Sequence, residues 1–349
     1  MPDLTTVVGI IFIAGCNYLV TGWFIKYAKS KNITDVPTER SSHSTPTPRG
    51  GGLGFVITSI VAFVLYFAWE GLITSGIYLT LLVTISIVAS LGWFDDRNDL
   101  SQIIRFTIQV VAAALVLFFI GGLDTFKLPY VPEFSFGFFS PFLGLLWITG
   151  VTNIYNFMDG VDGIASSQAL SASAGWMVFA LLWNEPVLFT INLIVFSTVL
   201  VFLIYNWAPA RIFMGDVGSV FLGFFFAVMP FLAATISEEY TIASTLWIGV
   251  LLLWPFLFDS SSTLIRRFKN GENIFEAHRS HLYQRLNIAG WPHSVISTLY
   301  LTFSFLSLMI ALIFFHENDT IRILLFLLLL LLSFLYVNIV HHVEKKVDR

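Results

Sequence analysis

Long apolar runs alternate with short polar segments along almost the whole chain. Many of these runs reach about 18 residues or more, the length at which a helix crosses about 30 Å of hydrocarbon. The pattern therefore predicts an all-α, polytopic integral membrane protein. The eleven predicted spans are residues 4–26, 50–69, 75–94, 104–122, 138–156, 164–183, 186–205, 217–236, 241–263, 293–315 and 321–341.

The polar stretch between the spans at 138–156 and 164–183 leaves a second arrangement open. This stretch could dip into the protein as a re-entrant segment. Non-helical backbone is tolerated at membrane depth only where protein or a water-filled cavity surrounds it. A re-entrant segment here would therefore have to be enclosed by neighbouring helices.

Composition supports a protein built for the bilayer. Hydrophobic residues make up 56% of the 349 residues and charged residues 11%, whereas a soluble domain carries about 25% charged residues. The mean hydropathy is +0.82. We predict one membrane unit over residues 1–349. The single cysteine, Cys16, excludes an intrachain disulfide and a Cys-x-x-Cys metal site.

The lysines and arginines are distributed unevenly between the loops. With an odd number of spans, alternate loops fall on the same side of the membrane as the C-terminus. That side carries all of the 18 lysines and arginines except Lys127 and Arg322. Because cytoplasmic loops are enriched in these residues, this side is predicted to be cytoplasmic.

Five polar motifs all fall in these cytoplasmic loops. Pro48–Gly54 is rich in glycine, which lets a backbone approach a ligand closely or lets helices pack tightly. Phe94–Leu100 contains Asp95 and Asp96, adjacent carboxylates that are costly at a membrane boundary unless water, a cation or arginine compensates them. The alternative for this motif is a solvated helix end in which Asp99 caps the next helix.

The third motif, within residues 153–163, repeats a polar side chain every three positions, at Asn153, Asn156, Asp159 and Asp162. In a helix this spacing forms one slowly drifting face. Such a face between apolar spans is costly unless it lines a polar site. Asparagine and aspartate supply oxygen ligands, which suit a hard cation such as Mg²⁺. The alternative is an ordinary Asn/Asp-Gly turn.

Residues 209–219 and 266–285 contain the last two motifs. Asp216 lies between two glycines at the start of a span, where it would cap the helix or bind Mg²⁺ beside amides that hold phosphate. His278 and His281 are three positions apart and are predicted to share a helix face. With arginines nearby, they suit a phosphate clamp better than a zinc site. Contact with anionic lipid headgroups is the alternative.

Carboxylates, amides, cations and glycines thus converge on one membrane face. A Mg²⁺-dependent reaction on a diphosphate requires this combination, because the metal and the cations neutralise charge on the phosphates. Four of the motifs, in this order, resemble those of the polyprenyl-phosphate N-acetylhexosamine-1-phosphate transferases. They are Asp-Asp-Arg-x-Asp at 95–99, Asn-x-x-Asn-x-x-Asp-Gly-x-Asp-Gly at 153–163, Gly-Asp-x-Gly-Ser at 215–219 and His-x-x-His at 278–281.

The similarity extends from Pro48 to Arg285, within a matching number of spans. The family includes the lipopolysaccharide and O-antigen initiating enzymes and the peptidoglycan lipid I synthase. The resemblance implies transfer of a HexNAc-1-phosphate from a UDP-sugar to undecaprenyl phosphate. UMP is released, and the lipid product starts O-antigen or other cell-surface polysaccharide synthesis.

The resemblance also implies the cofactor and the location. Mg²⁺ is the expected cofactor, with Mn²⁺ as the alternative. The expected location is the bacterial inner membrane, with the active-site loops in the cytoplasm. The expected partners are the UDP-HexNAc and undecaprenyl phosphate substrates and the lipid bilayer. No nucleic-acid partner is expected. Whether the protein forms a homodimer is left open.

Roles for individual residues follow from the same resemblance. Asp95 and Asp96 match the family's first aspartate pair, one of which is a candidate base. Asn156 and Asp216 match the residues placed at Mg²⁺. The other assignments are Asp159, Asp162, His278 and His281 to catalysis, and Arg49, Gly51, Asn153, Arg211 and Arg279 to substrate binding.

Two departures from the lipid I synthase pattern bear on the donor sugar. That enzyme type has lysine where this chain has Asp99, whereas the lipopolysaccharide type has aspartate. The peptidoglycan enzyme also has a denser histidine cluster than residues 278–283. This segment is similar to that of members acting on UDP-FucNAc or UDP-QuiNAc, which join UDP-GlcNAc and UDP-GalNAc as candidate donors.

Two mechanisms stay open. In one, the lipid phosphate attacks the β-phosphate of the UDP-sugar directly, with Asp95 as base; in the other, an aspartate first forms a covalent phospho-sugar intermediate. A secondary transporter and a structural scaffold are the competing classes. Transporter sites lie near the midplane, often between repeated halves, whereas these motifs lie at predicted span ends and the sequence shows no internal repeat.

Overall fold

A computed structural model describes residues 4–31, 33–35, 45–237, 240–273 and 278–347. Arg40 and Arg349 of the charge pattern, and Glu276 and Ala277 of the fifth motif, lie outside these residues. The described elements are α1 (Leu4–Ser30), β1 (Thr34–Asp35), β2 (Thr47–Pro48), α2 (Gly52–Trp69), α3 (Gly76–Asn98), α4 (Gln102–Phe119), β3 (Thr125–Phe126), β4 (Phe134–Ser135), α5 (Ser140–Phe157), α6 (Ile164–Leu182), α7 (Pro186–Asn206), α8 (Asp216–Ile236), α9 (Ile242–Leu252), α10 (Trp254–Lys269), α11 (Leu282–Ile288), α12 (His293–His316) and α13 (Asp319–Val347).

The protein is a multi-pass, all-α membrane protein, as predicted. Ten helices in the described ranges are long and apolar enough to cross a membrane, and an eleventh span results if α9 and α10 count as one. The segments predicted at 138–156 and 164–183 form two separate helices, α5 and α6. Helix α6 meets the same length and hydropathy requirements, and so does α5 when the preceding 3₁₀ turn is counted with it. The strands form two antiparallel pairs, β1 with β2 and β3 with β4.

The prediction of one continuous ninth span at 241–263 is wrong. The helix breaks at Leu253 into α9 and α10, whose directions differ by 79°. Pro255 lies in the first turn of α10 and lacks the N–H that a continuous helix would use. The Gln168 side chain donates to the carbonyl oxygen of Leu252 at 2.8 Å. A neighbouring helix therefore satisfies backbone that the break would leave unpaired in the bilayer.

Helix α8 forms the centre of the bundle and packs against α2, α3, α5 and α9. Of the 18 consecutive residues that form its most apolar stretch, 94% are buried. Glycines permit the closest approaches. A side chain at Gly52 would meet the Cα atom of Gly218 at 2.6 Å, and one at Gly92 would meet the carbonyl oxygen of Asp216 at 2.5 Å. These contacts hold the N-terminal turn of α8 directly against α2 and α3.

Helix α11 is tied to the last span by an ion pair between Arg285 and Glu344. The Arg285 Nε donates to Oε1 of Glu344 at 2.6 Å, and Nη2 donates to Oε2. The Arg285 side chain is only 9% exposed. Glu344→Gln leaves this guanidinium buried without a counter-charge, so we expect the free energy of unfolding to fall by about 2 kcal/mol, measured by thermal unfolding in detergent.

The matched control for this prediction is Glu70→Gln. The Glu70 side chain is exposed at the C-terminus of α2. Its removal should change stability by less than about 0.5 kcal/mol. If both variants lose the same free energy of unfolding, the ion pair between α11 and α13 does not contribute more to stability than an exposed glutamate does.

Candidate active site

Segments from four of the five motifs enclose a polar cavity of about 290 Å³ at one end of the bundle. They come together because the N-termini of α2 and α8 lie at the same end as the C-termini of α5 and α7. The cavity is lined by Asp35, Arg49, Asn156, Asp159, Gly160, Val161, Asp162, Asn206, Phe213, Met214, Gly215, Asp216, Ser219, Arg279, Gln284 and Asn287.

Asp96 connects the second motif to this site, because its carboxylate caps the N-terminus of α8. Its Oδ1 accepts from the backbone N–H of Asp216 at 2.9 Å, and its Oδ2 accepts from that of Val217 at 3.1 Å. A carboxylate here compensates free N–H groups and the positive end of the helix dipole. Asp96, rather than Asp216, is therefore the cap, and the Asp216 side chain lines the cavity.

Arg49 links the first motif to the same carboxylates. Its Nε lies 2.9 Å from Oδ1 of Asp96, and its Nη2 lies 3.4 Å from Oδ1 of Asp216. Burial lowers the pKa of Arg49, but the nearby carboxylates, Asp96 first and then Asp216, Asp35 and Asp95, together raise it above the ordinary value. Gly51 does not line the cavity; its N–H donates to the carbonyl oxygen of Phe213 at 2.9 Å, which ties the two loops together.

Asn156, at the end of α5, faces the same carboxylate group. Its Nδ2 donates to Oδ1 of Asp216 at 3.1 Å and to Oγ of Ser219 at 2.9 Å. The two residues that the resemblance placed at Mg²⁺ are therefore in direct contact. This contact joins the third motif to the fourth, although sixty residues separate them along the chain.

Negative charge is in excess at this point. The carboxylates of Asp96, Asp159 and Asp216 all interact with the guanidinium of Arg49. Burial, and then the proximity of Asp216 and Asp96, raise the pKa of Asp159 well above its ordinary value. No three His, Cys, Asp or Glu side chains in the described part of the chain form a preformed metal cage. Oxygens of Asp216 and Asn156 could hold a hard cation whose other ligands are water or phosphate, as is typical of Mg²⁺.

The prediction that the third motif forms one polar helix face is wrong. Helix α5 ends at Phe157, so Asp159 and Asp162 lie in the following loop, whose Asp-Gly pairs favour a turn over a helix. Asn153 turns away from the cavity and donates to Oε1 of Gln109 on α4 at 2.6 Å. Asn153 therefore lies at the contact between α4 and α5.

Sequence reasoning missed His293, the first residue of α12. Its Nδ1 lies 3.2 Å from Oδ2 of Asp162, which also accepts from the N–H of Ala210 at 3.0 Å. Ser297 donates to the carbonyl oxygen of Asp162 at 2.6 Å. These contacts hold Asp162 in the cavity wall. A lone histidine at the start of an apolar span belongs to no motif, so only the folded structure reveals it.

Asp95 and Asp96 point in different directions, as neighbours on a helix do. Asp95 is buried and does not line the cavity; its Oδ2 accepts from Nη1 of Arg105 at 2.9 Å, and its carboxylate also lies close to that of Asp216. The structure thus places this candidate base in the last turn of α3, where Arg105 of α4 pairs with it. The alternative in which Asp99 caps α4 is wrong, because Ser101 occupies the cap position and accepts a backbone N–H.

The prediction that the two histidines share a helix face is also wrong, because residues 278–281 precede α11 and are not helical. His281 is buried, with its Nδ1 3.3 Å from Oδ1 of Asp259. Burial and then the neighbouring basic side chains lower the pKa of His278 to about 4, so that it is neutral at pH 7. Arg279 is the member of this segment that lines the cavity.

Arg211 is exposed and does not line the cavity. Its guanidinium lies over the ring of Tyr205, 5.0 Å from the centroid, in a cation–π contact. This places Arg211 at the surface beside the site.

The chain is similar in sequence to several known proteins. The glycosyl transferase family 4 model matches residues 78–234. A probable undecaprenyl-phosphate N-acetylglucosaminyl 1-phosphate transferase of Bacillus subtilis (strain 168) is 31% identical over 309 residues, covering 87% of this chain and 82% of that protein. A decaprenyl-phosphate N-acetylglucosaminephosphotransferase of Mycobacterium tuberculosis (strain ATCC 25618 / H37Rv) is 28% identical, covering 88% and 82%. A phospho-N-acetylmuramoyl-pentapeptide-transferase of Streptococcus uberis (strain ATCC BAA-854 / 0140J) is 28% identical, covering 81% and 89%.

Fold and site together define a polytopic membrane protein that gathers carboxylates, amides and arginines in one cavity at the ends of its helices. The matches then specify the family: the chain belongs to glycosyl transferase family 4. The resemblance carried by the four motifs is thereby confirmed.

Proposed function

We propose that this protein transfers a HexNAc-1-phosphate from a UDP-sugar to undecaprenyl phosphate and releases UMP. The observation that carries the proposal is the cavity at the N-terminus of α8, where Asp159 and Asp216 lie beside Asn156 and Arg49. Oxygen ligands and a guanidinium in one polar cavity suit a diphosphate with its counter-cation. The names of the relatives from Bacillus subtilis and Mycobacterium tuberculosis support the same reaction class.

Asn156 and Asp216 are the residues proposed to hold Mg²⁺, with Mn²⁺ as the alternative. The ion, when bound, neutralises charge on the diphosphate. Arg49 and Arg279 line the cavity, where they would form charge-assisted hydrogen bonds with phosphate oxygens. Asp162, which His293 holds in the cavity wall, is proposed to face the nucleotide.

In the proposed reaction, an oxygen of the lipid phosphate forms a bond to the β-phosphorus of the UDP-sugar. The bond from that phosphorus to the bridging oxygen breaks, and UMP leaves with the bridging oxygen. Asp159 lines the cavity, whereas Asp95 is engaged by Arg105, so the geometry favours Asp159 as the carboxylate that faces the reactants. We propose direct attack, because a phosphate dianion near pH 7 needs little help from a base.

We infer that the cavity faces the cytoplasm of a bacterial inner membrane. The motifs at this end belong to the predicted loops that, in the sequence, contain all of the 18 lysines and arginines except Lys127 and Arg322. The lipid-linked product would start O-antigen or another cell-surface polysaccharide. UDP-GlcNAc is the first donor to test, since N-acetylglucosamine appears in the names of two of the relatives.

The test is UMP release by purified protein in detergent with undecaprenyl phosphate, Mg²⁺ and UDP-GlcNAc, UDP-GalNAc, UDP-FucNAc or UDP-QuiNAc. Release that requires both the lipid and Mg²⁺ would support the proposal, and the fastest donor would identify the sugar. Folded protein that releases no UMP with any of the four donors would contradict it. The competing transporter class would then be favoured.

Arg49→Gln is expected to lower kcat/KM by about 10-fold to 100-fold, because the variant removes the positive charge between Asp96 and Asp216. Arg97→Gln is the matched control. The Arg97 guanidinium is exposed and lies 4.1 Å from the centroid of the Trp93 ring. UMP release measures both variants, and similar losses in the two would argue against a phosphate-binding role for Arg49.

A further inference from the structure

Asp259, on the second half of the broken span, is fully buried and accepts hydrogen bonds from three separate elements. From the start of α11, the N–H groups of Leu282 and Tyr283 donate to its Oδ1 at 2.8 Å and Oδ2 at 3.2 Å. Thr263 of α10 donates to Oδ1 at 3.2 Å, and Tyr300 of α12 donates to Oδ2. The carboxylate thus ties α10, α11 and α12 together.

A carboxylate with no exposed surface is costly unless its charge is compensated. The one basic side chain that lies against Asp259 within the described ranges is His281, whose Nδ1 is 3.3 Å from Oδ1. The His281 side chain is only 4% exposed and is absent from the cavity lining. Its ring stacks against that of Tyr283, with centroids 5.8 Å apart. His281 therefore belongs to a buried cluster around Asp259.

Further contacts connect this cluster to the cavity. Arg266 of α10 donates to the carbonyl oxygen of Ser280 at 2.7 Å, and Tyr283 donates to that of Phe157, at the end of α5, at 2.9 Å. The backbone that these bonds hold includes Arg279 on one side of His281 and α11 on the other. Three cavity-lining side chains lie on this backbone, namely Arg279, Gln284 and Asn287.

We propose that Asp259 is a positioning residue that fixes the 278–288 segment against the cavity, with His281 as its buried partner rather than as a contact to substrate. This inference rests on the proposed function, since it concerns the same cavity. Asp259 does not contact the substrate itself. It positions Arg279 and the first turn of α11, and those groups contact the UDP-sugar.

The test begins with Asp259→Asn in the full-length protein. Asparagine offers one acceptor oxygen and turns an NH₂ group toward N–H and O–H donors, so the start of α11 loses part of its anchor. We expect kcat for UMP release to fall by at least about 30-fold through displacement of the segment, while KM for undecaprenyl phosphate changes by less than about two-fold. Ser261→Ala, an exposed position on the same helix, is the matched control and should behave as wild type.

A double-mutant cycle separates positioning from direct contact. If His281 acts through the anchor, Asp259→Asn combined with His281→Asn should be no less active than Asp259→Asn alone. If the two losses multiply, His281 acts independently, and its assignment as a buried partner is overturned. Wild-type kcat in folded Asp259→Asn, even with reduced thermal stability, would overturn the positioning role.

Amide exchange gives a readout that does not depend on activity. The N–H groups of Leu282 and Tyr283 donate to Asp259, so their exchange should be faster in Asp259→Asn and unchanged in Ser261→Ala. Should Asp259→Asn fail to fold, Tyr300→Phe removes a single donor to the carboxylate and should show a smaller change in the same direction. Unchanged exchange of the Leu282 and Tyr283 N–H groups in Asp259→Asn and in Tyr300→Phe would refute the role of Asp259 as an anchor. A wild-type protein that releases no UMP would refute the proposed reaction and leave the anchor to be decided by exchange.

Discussion

Asp216→Asn is expected to lower the rate of UMP release by about 10³-fold. Asp216 is in contact with Asn156 and Arg49, and it is the carboxylate to which the proposal assigns the cation. The variant removes the charge that attracts the cation and changes little else. The cap of α8 survives, because Asp96 accepts from the backbone N–H of Asp216 and not from its side chain. The loss should therefore appear in folded protein with near wild-type thermal unfolding.

Asp99→Asn is the control for this prediction. It makes the same chemical change at an exposed aspartate of the neighbouring motif, at the C-terminus of α3. Activity should stay within about two-fold of wild type, as for surface substitutions away from a site. Raising the Mg²⁺ concentration should recover part of the Asp216→Asn activity if the cation is bound more weakly. Near-normal turnover of Asp216→Asn would remove Asp216 from the cation site.

The sequence predicts the location of the site because membrane helices alternate in direction. Once the spans are placed, the motifs before α2, after α5 and before α8 must lie at one end of the bundle. Residue types then predict the chemistry, as the contact between Asn156 and Asp216 shows. These two levels of inference need only apolar length, charge distribution and motif order.

What the sequence does not predict depends on orientation within an element. Adjacent aspartates look equivalent in the motif, yet Asp96 caps α8 while Asp95 bonds to Arg105. The three-residue repeat suggests a helix, but α5 ends before Asp159. Asp259 lies in a predicted span with no motif around it, and its role depends on the break at Leu253, which turns α10 toward α11.

Gly215→Ala is expected to reduce activity nearly as much as Asp216→Asn, by about 10³-fold. Gly215 has φ of +75° and ψ of 172°, a region that only glycine occupies without strain. A Cβ atom at this position would also lie 2.6 Å from Oδ2 and 3.0 Å from Oδ1 of Asp96. The carboxylate that caps α8 and pairs with Arg49 must then move. The first turn of α8, which includes Asp216, would move with it.

Gly71→Ala separates backbone strain from displacement of the carboxylate. Gly71 also has a positive φ, +70°, but an added Cβ would meet nothing within 4 Å. The left-handed conformation should cost Gly71→Ala about 1–2 kcal/mol of stability with little loss of UMP release per folded molecule. Gly215→Ala should lose activity even where folded protein is recovered, because Asp96 cannot keep its bonds to the N–H groups of α8. If the two variants lose stability alike and both remain active, the position of the Asp96 carboxylate does not matter to the reaction.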